Sequence, residues 1–186
     1  MRRWVWPLVA YLVAAAVTTW PLVLHPSALL GAQIGPGDPY LNLWILGWDM
    51  QTMLSTPRAL VTGAIFNAHI FYPAAGTLAY SDHLLLQAVV LLPIYALTHD
   101  AVLCYNVLLG ASLVASGLAM HALARELAGN PLDSRRSLGA GEPGAYVAGL
   151  AWGFGSYHFS HLIHLQLQSL YFLPSIAVPS DPLFTL

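Results

Sequence analysis

Apolar residues run along this chain in long blocks with few interruptions. Residues 4–24 hold 21 positions without a charge, enough at 1.5 Å per residue to cross a hydrocarbon core of about 30 Å as one helix. A second uncharged block covers 101–124 and carries Gly110, Ala111, Ser112, Ala115, Ser116 and Ala119 at intervals that let helices meet backbone to backbone. Residues 143–180 again contain no Asp, Glu, Lys or Arg, too long for one straight span. The pattern predicts breaks at Gly153, Gly155 and Pro174. A third span is therefore expected over 145–157, with a fourth fitting at 165–179. The apolar run 84–97, interrupted by Pro93, has the length of a re-entrant or interfacial segment. The expected fold class is all-α, a polytopic membrane protein.

Composition supports that class. Of 186 residues, 58% are hydrophobic and 8% charged, against about 25% charged in soluble domains. The basic residues are six arginines, with eight Asp or Glu, which excludes an electrostatic nucleic-acid binder. One cysteine, Cys104, supplies neither a disulfide framework nor a thiolate metal site. Arg2 and Arg3 place the N-terminus in the cytoplasm. If 84–97 does not cross, five arginines lie inside and only Arg58 outside, the arrangement the positive-inside tendency favours. The expected order is a first span at 4–24, an external loop over 25–100, a second span at 101–125, and a cytoplasmic connection over 126–144 ahead of the third span. Arg125, Arg135 and Arg136 then act as topology determinants, and His121 and Cys104 as packing residues.

A loop as long as 25–100 is expected to carry function. Asp38 follows Gly35-Pro36-Gly37 and precedes Pro39, so it is placed to cap a helix over about 39–54. Trp44 and Trp48 on that helix suit the headgroup layer, as do Phe71, Tyr72 and Tyr80 further along. Ser81 or Asp82 is expected to cap a second surface helix at about 83–98. His69 and His83 are candidate contacts for a phosphate headgroup. His158, His161 and His164, spaced i, i+3, i+6, would fall within about 120° of arc on a helix. His161 or His164, with Gln166 and Gln168, is expected to line a polar cavity for a lipid phosphate or a sugar, on the side that holds Asp38 and Asp82. No Walker loop, nucleophile elbow, H-E-x-x-H or C-x-x-C occurs, so ATP hydrolysis, serine hydrolysis and zincin chemistry have no support.

The stretches GPGDPYLNLW, ALAREL, IFYPAAGTLAYSDHLLL and AGLAWGFGSYHFSHLIHLQLQSLYFLP, in this order around one early aspartate, resemble the N-terminal part of bacterial GT-C glycosyltransferases. Those are multi-span enzymes that use sugars carried on polyprenyl phosphates. The resemblance implies GT-C-like transmembrane helices with juxtamembrane helices in a long first external loop, and a location in the inner membrane. It implies a lipid-linked sugar donor as partner, besides membrane lipids. The family's enzymes have more spans than fit here, so this sequence is expected to be an N-terminal fragment. Asp38 matches the family's general base, which deprotonates the acceptor hydroxyl. Pro39 and Tyr40 follow it in place of the second acidic residue of several branches. Asp82, His83, His161, His164 and Gln166 are assigned as substrate contacts. No metal ligands are assigned, and a divalent metal is the one cofactor left open. The rival expectations are a transporter or flippase subunit for a lipid-linked substrate and a non-catalytic assembly subunit.

Overall fold

Local punctuation sets most of the helix ends. A computed structural model describes residues 2–31, 37–129 and 141–177, and these contain helices and turns with no strand among them. Helix α1 spans Arg2–Thr18 and stops short of the expected 24. Pro21 lacks an N–H and disfavours helical backbone before it. The Thr18 and Thr19 hydroxyls donate to the Ala14 and Ala15 carbonyls, each at 2.7 Å, and the chain passes into a 3₁₀ turn at Leu22–Leu24.

Helix α2 spans Asp38–Ser55 with Pro39 in its first turn, as expected to within a residue. Its N-cap, however, is Gly37 at φ 137°, with no side-chain capping bond. The expectation that Asp38 caps this helix is thus corrected: the residue is already helical, and the left-handed backbone before it suits glycine. Helix α3 is the short Ala59–Thr62, followed by 3₁₀ turns at Ala64–Phe66 and Thr77–Tyr80. The loop between those turns is clamped by Gly76 N–H donating to Asn67 Oδ1 at 2.7 Å and Thr77 Oγ1 donating to the Ile70 carbonyl at 2.8 Å. Helix α4, Leu85–Thr98, packs against α2. Its N-cap is Leu84, again without a side-chain bond, so neither Ser81 nor Asp82 caps it. Helix α5 runs Ala101–Gly129, opened by Asp100 Oδ1 accepting from Leu103 N–H at 2.9 Å. Residues Ala101–Ala128 form the one described helix long and apolar enough to cross a membrane.

Helix α6 spans Gly141–Gly153 and α7 spans Ser156–Ser160. The third span expected at 145–157 therefore ends early, at one of the glycines named as a break. The segment expected as a fourth span at 165–179 is a 3₁₀ turn, Leu165–Gln168, followed by α8, Phe172–Ala177; positions 178 and 179 lie outside the described residues. So does most of the expected cytoplasmic connection, 130–140.

One transmembrane domain is expected over 1–186 from the sequence; the described residues group into two compact units. The first takes the described parts of 1–24, 109–162 and 167–186. Its core is Tyr11, Ala15 and Val114, with Leu118, Tyr146 and Phe154 packed around them. A Cβ on Gly153 would lie 2.7 Å from Gly117 N and 3.0 Å from the Leu113 carbonyl, and one on Gly149 would lie 2.6 Å from the Gly117 carbonyl and meet the Tyr11 hydroxyl. Helices α5 and α6 thus touch backbone to backbone, the close approach that small residues permit. The contact falls at Gly117, while Gly110 faces open space. Gly153→Ala is expected to destabilise the full chain by about 1–3 kcal/mol through overpacking against backbone atoms that cannot move aside, read as a lower denaturation midpoint. At one end of this core, Tyr11 Oη lies 3.0 Å from His121 Nδ1, and Arg125 Nε lies 3.2 Å from Glu142 Oε2.

Candidate functional site

The second unit is built from residues 25–108 together with 163–166. Helix α2 is its spine. Ile45, Leu46, Met50 and Met53 are buried against neighbouring elements, and a polar stripe runs along the edge of that same face, between Ile45 and Met53. Asp38, Asn42 and Asp49, at i, i+4 and i+11, fall within about 40° of arc. Along this stripe burial deepens from Asp38, half exposed, to Asn42 and Asp49, both buried.

The 163–166 segment meets the outer half of the stripe. His164 Nε2 lies 3.0 Å from Asp38 Oδ2. Asn42 Nδ2 donates to the Ile163 carbonyl at 3.3 Å and to Gln166 Oε1 at 3.2 Å. The other end of the Gln166 amide, Nε2, donates to Asp82 Oδ2 at 2.9 Å. Two carboxylates 44 positions apart in sequence are thus each held by one side chain of the same short segment. Of the sequence-assigned site residues, the structure brings together Asp38, Asp82, His164 and Gln166.

His83 is turned the other way. Its Nδ1 lies 3.4 Å from Asp49 Oδ2, its side chain is 18% exposed, and its ring meets Phe66 edge-on at 5.0 Å. An imidazole packed inward is not displayed to a phosphate headgroup. Asp49 is fully buried, and neither of its oxygens has a hydrogen-bond partner. Burial pushes its carboxyl up to about 7 and pushes the His83 imidazole below its ordinary value, because each loses hydration of its charged form.

His161 belongs to the first unit, where its ring stacks on Tyr157 at 4.3 Å and its Nδ1 lies 3.0 Å from Ser160 Oγ. The expectation that His158, His161 and His164 share one helical face is corrected. Helix α7 ends at Ser160, and Gln168 Nε2 donates to the carbonyls of His158 and His161 at 3.2 and 2.6 Å. Those carbonyls would otherwise accept the next helical turn. His158 itself is buried, with Nδ1 2.7 Å from Gln168 Oε1. Trp48 also departs from the interfacial expectation, because its indole N–H donates to the Ile65 carbonyl at 2.8 Å. Trp44 stacks on it and stays exposed.

Among the described residues no group of three His, Cys, Asp or Glu side chains is placed to hold a metal ion. The divalent cation left open by the sequence therefore finds no fitting ligand set there. The polar stripe offers carboxylate oxygens to hydroxyl groups, and the 163–166 segment sets an imidazole beside Asp38. Asn42 and Asp49 were missed in the sequence reading. Their shared register with Asp38, and a lone acidic residue inside W-I-L-G-W-D-M, are the signals that point to them. No protein-family model matches this chain, and neither does any curated protein or solved structure.

Proposed function

We propose that this chain is part of a multi-span bacterial inner-membrane glycosyltransferase of GT-C type, which moves a sugar from a polyprenyl-phosphate donor to an acceptor hydroxyl at the external face. The observation that carries the reading is the half-exposed Asp38 carboxylate 3.0 Å from His164 Nε2. A carboxylate open to a ligand on one side and hydrogen-bonded to an imidazole on the other is suited to general-base work. Asp38 takes the acceptor hydroxyl proton as the acceptor oxygen bonds to the sugar's anomeric carbon. The bond from that carbon to the donor phosphate breaks, and the lipid phosphate leaves with the electron pair. Asp82, held by Gln166, accepts from substrate hydroxyls, and His164 orients Asp38.

The membrane setting draws support from apolar surface. Beyond α5, the shorter apolar helix α1 leaves Val5, Trp6, Leu12, Val13 and Val17 exposed, and α4 leaves Leu86, Val90 and Leu97 exposed. Monomeric water-soluble proteins rarely display apolar surface on that scale. The test is an assay of the complete gene product in lipid nanodiscs with polyprenyl-phosphate sugars. Transfer of labelled sugar to a saccharide acceptor supports the reading. Translocation of the lipid with its sugar bond intact supports a flippase instead, and neither activity leaves the assembly role. Labelling of a cysteine introduced at position 130 from the external side would overturn the proposed topology.

A further inference from the structure

Three features place Asn42 at the centre of the polar stripe. It is buried, with 3% of its surface exposed. Its two amide hydrogens are both spent on the 163–166 segment, one on the Ile163 carbonyl and one on Gln166 Oε1. Those two attachment points flank His164, so the amide grips the backbone just before the imidazole and a side chain just after it.

A primary amide has one acceptor end and one donor end. Because Asn42 donates to Gln166 Oε1, the Gln166 amide is fixed with Nε2 outward, and that nitrogen donates to Asp82 Oδ2. The hydrogen bonds therefore run one way, from α2 through Gln166 to Asp82, and end on a carboxylate. A residue at 42 that could only accept would reverse the Gln166 amide and set its carbonyl oxygen against Asp82.

We propose that Asn42 is the positioning residue of the site: it sets both the approach of His164 to Asp38 and the polarity of the Gln166 contact to Asp82. The inference rests on the reading of Asp38 as general base. The hydrogen bonds of Asn42 go to the 163–166 segment and not to either carboxylate, so it acts through the segment it holds. It would therefore govern turnover more than ground-state binding, since misplaced groups lose transition-state alignment first.

Asn42→Asp tests this in the full chain, because the carboxylate keeps the shape of the amide and removes both donors. Amide hydrogen exchange of the peptide containing 163–166 is expected to speed up by about tenfold or more. In the transferase assay kcat is expected to fall by about tenfold to a hundredfold, with acceptor KM within about twofold. The compensating pair Asn42→Asp with Gln166→Arg places a guanidinium able to donate to both carboxylates, and it is expected to recover most of the exchange protection and turnover. Unchanged exchange in Asn42→Asp overturns the proposal. So does faster exchange that the pair fails to restore while near-UV circular dichroism stays native, because Asn42 would then be a mere packing residue. If Asn42→Asp does not fold, Gln166→Glu at the half-buried end of the relay takes its place: it still accepts from Asn42 but cannot donate to Asp82, so turnover should fall while protection at residue 163 persists. Loss of protection at 163 in that variant overturns the proposal. Exchange results as expected with no sugar transfer by any form of the protein, wild type included, would leave Asn42's role standing and remove the transferase reading alone.

Discussion

Asp38→Asn is expected to reduce sugar transfer by about 10²–10⁴-fold, the usual worth of a positioned general base. Asparagine keeps the size of the side chain and an oxygen that can face His164 Nε2, so the local fold should survive. What it loses is the ability to take up a proton. Asp38 is half exposed and makes no capping bond to α2, so little stability depends on it, and the variant's unfolding midpoint should stay close to that of the wild type. Asp38→Glu should retain part of the activity, since it keeps the base and moves it by one methylene. Turnover of Asp38→Asn within about threefold of wild type would remove the mechanism proposed here.

The second large effect is on stability against pH and involves Asp49. Its carboxyl titrates near 3.8 in an unfolded chain and at about 7 in the fold. Between those values the folded protein keeps a proton that the unfolded chain has released, so rising pH favours unfolding. Asp49 contributes its full share of stability below about pH 4 and loses it progressively up to about pH 7. The expected loss is on the order of 3 kcal/mol. The His83 imidazole, pushed down by burial, acts in the opposite sense: its contribution is present above about pH 6.5 and falls as pH drops. Asp49→Asn should abolish the decline in unfolding midpoint between pH 4 and pH 7 and leave the His83 trend exposed. A pH profile of the variant parallel to that of the wild type would show that Asp49 is hydrated in the fold and has no such role.

How far the sequence could be read depended on whether the deciding signal was local. The ends of α2 and α4 follow from Gly37, Pro39 and the apolar run that starts at residue 84, all of which act within a turn of their own position. The end of α6 at Gly153 was legible for the same reason. Helix α1 was read too long because the apolar run continues through Pro21 while the hydrogen bonding does not. The caps assigned to Asp38 and Asp82 failed because a carboxylate near a helix start has a second use, and both were taken by residues more than 80 positions away.

The imidazole trio shows the limit most clearly. Nothing in S-H-L-I-H-L-Q breaks a helix by itself. Helix α7 nonetheless stops at Ser160, and Gln168 occupies the His158 and His161 carbonyls. By itself the sequence determined the helical class of the described residues, the apolar reach of α5, and the acidic residues that open α2 or precede α4, because composition and short-range punctuation carry those. The tertiary structure alone decided which acid meets which partner. For Asp38 and Asp82 that pairing depends on where the chain returns after more than 80 residues, and on buried amides and carboxyls such as Asn42 and Asp49, whose environment no local pattern specifies.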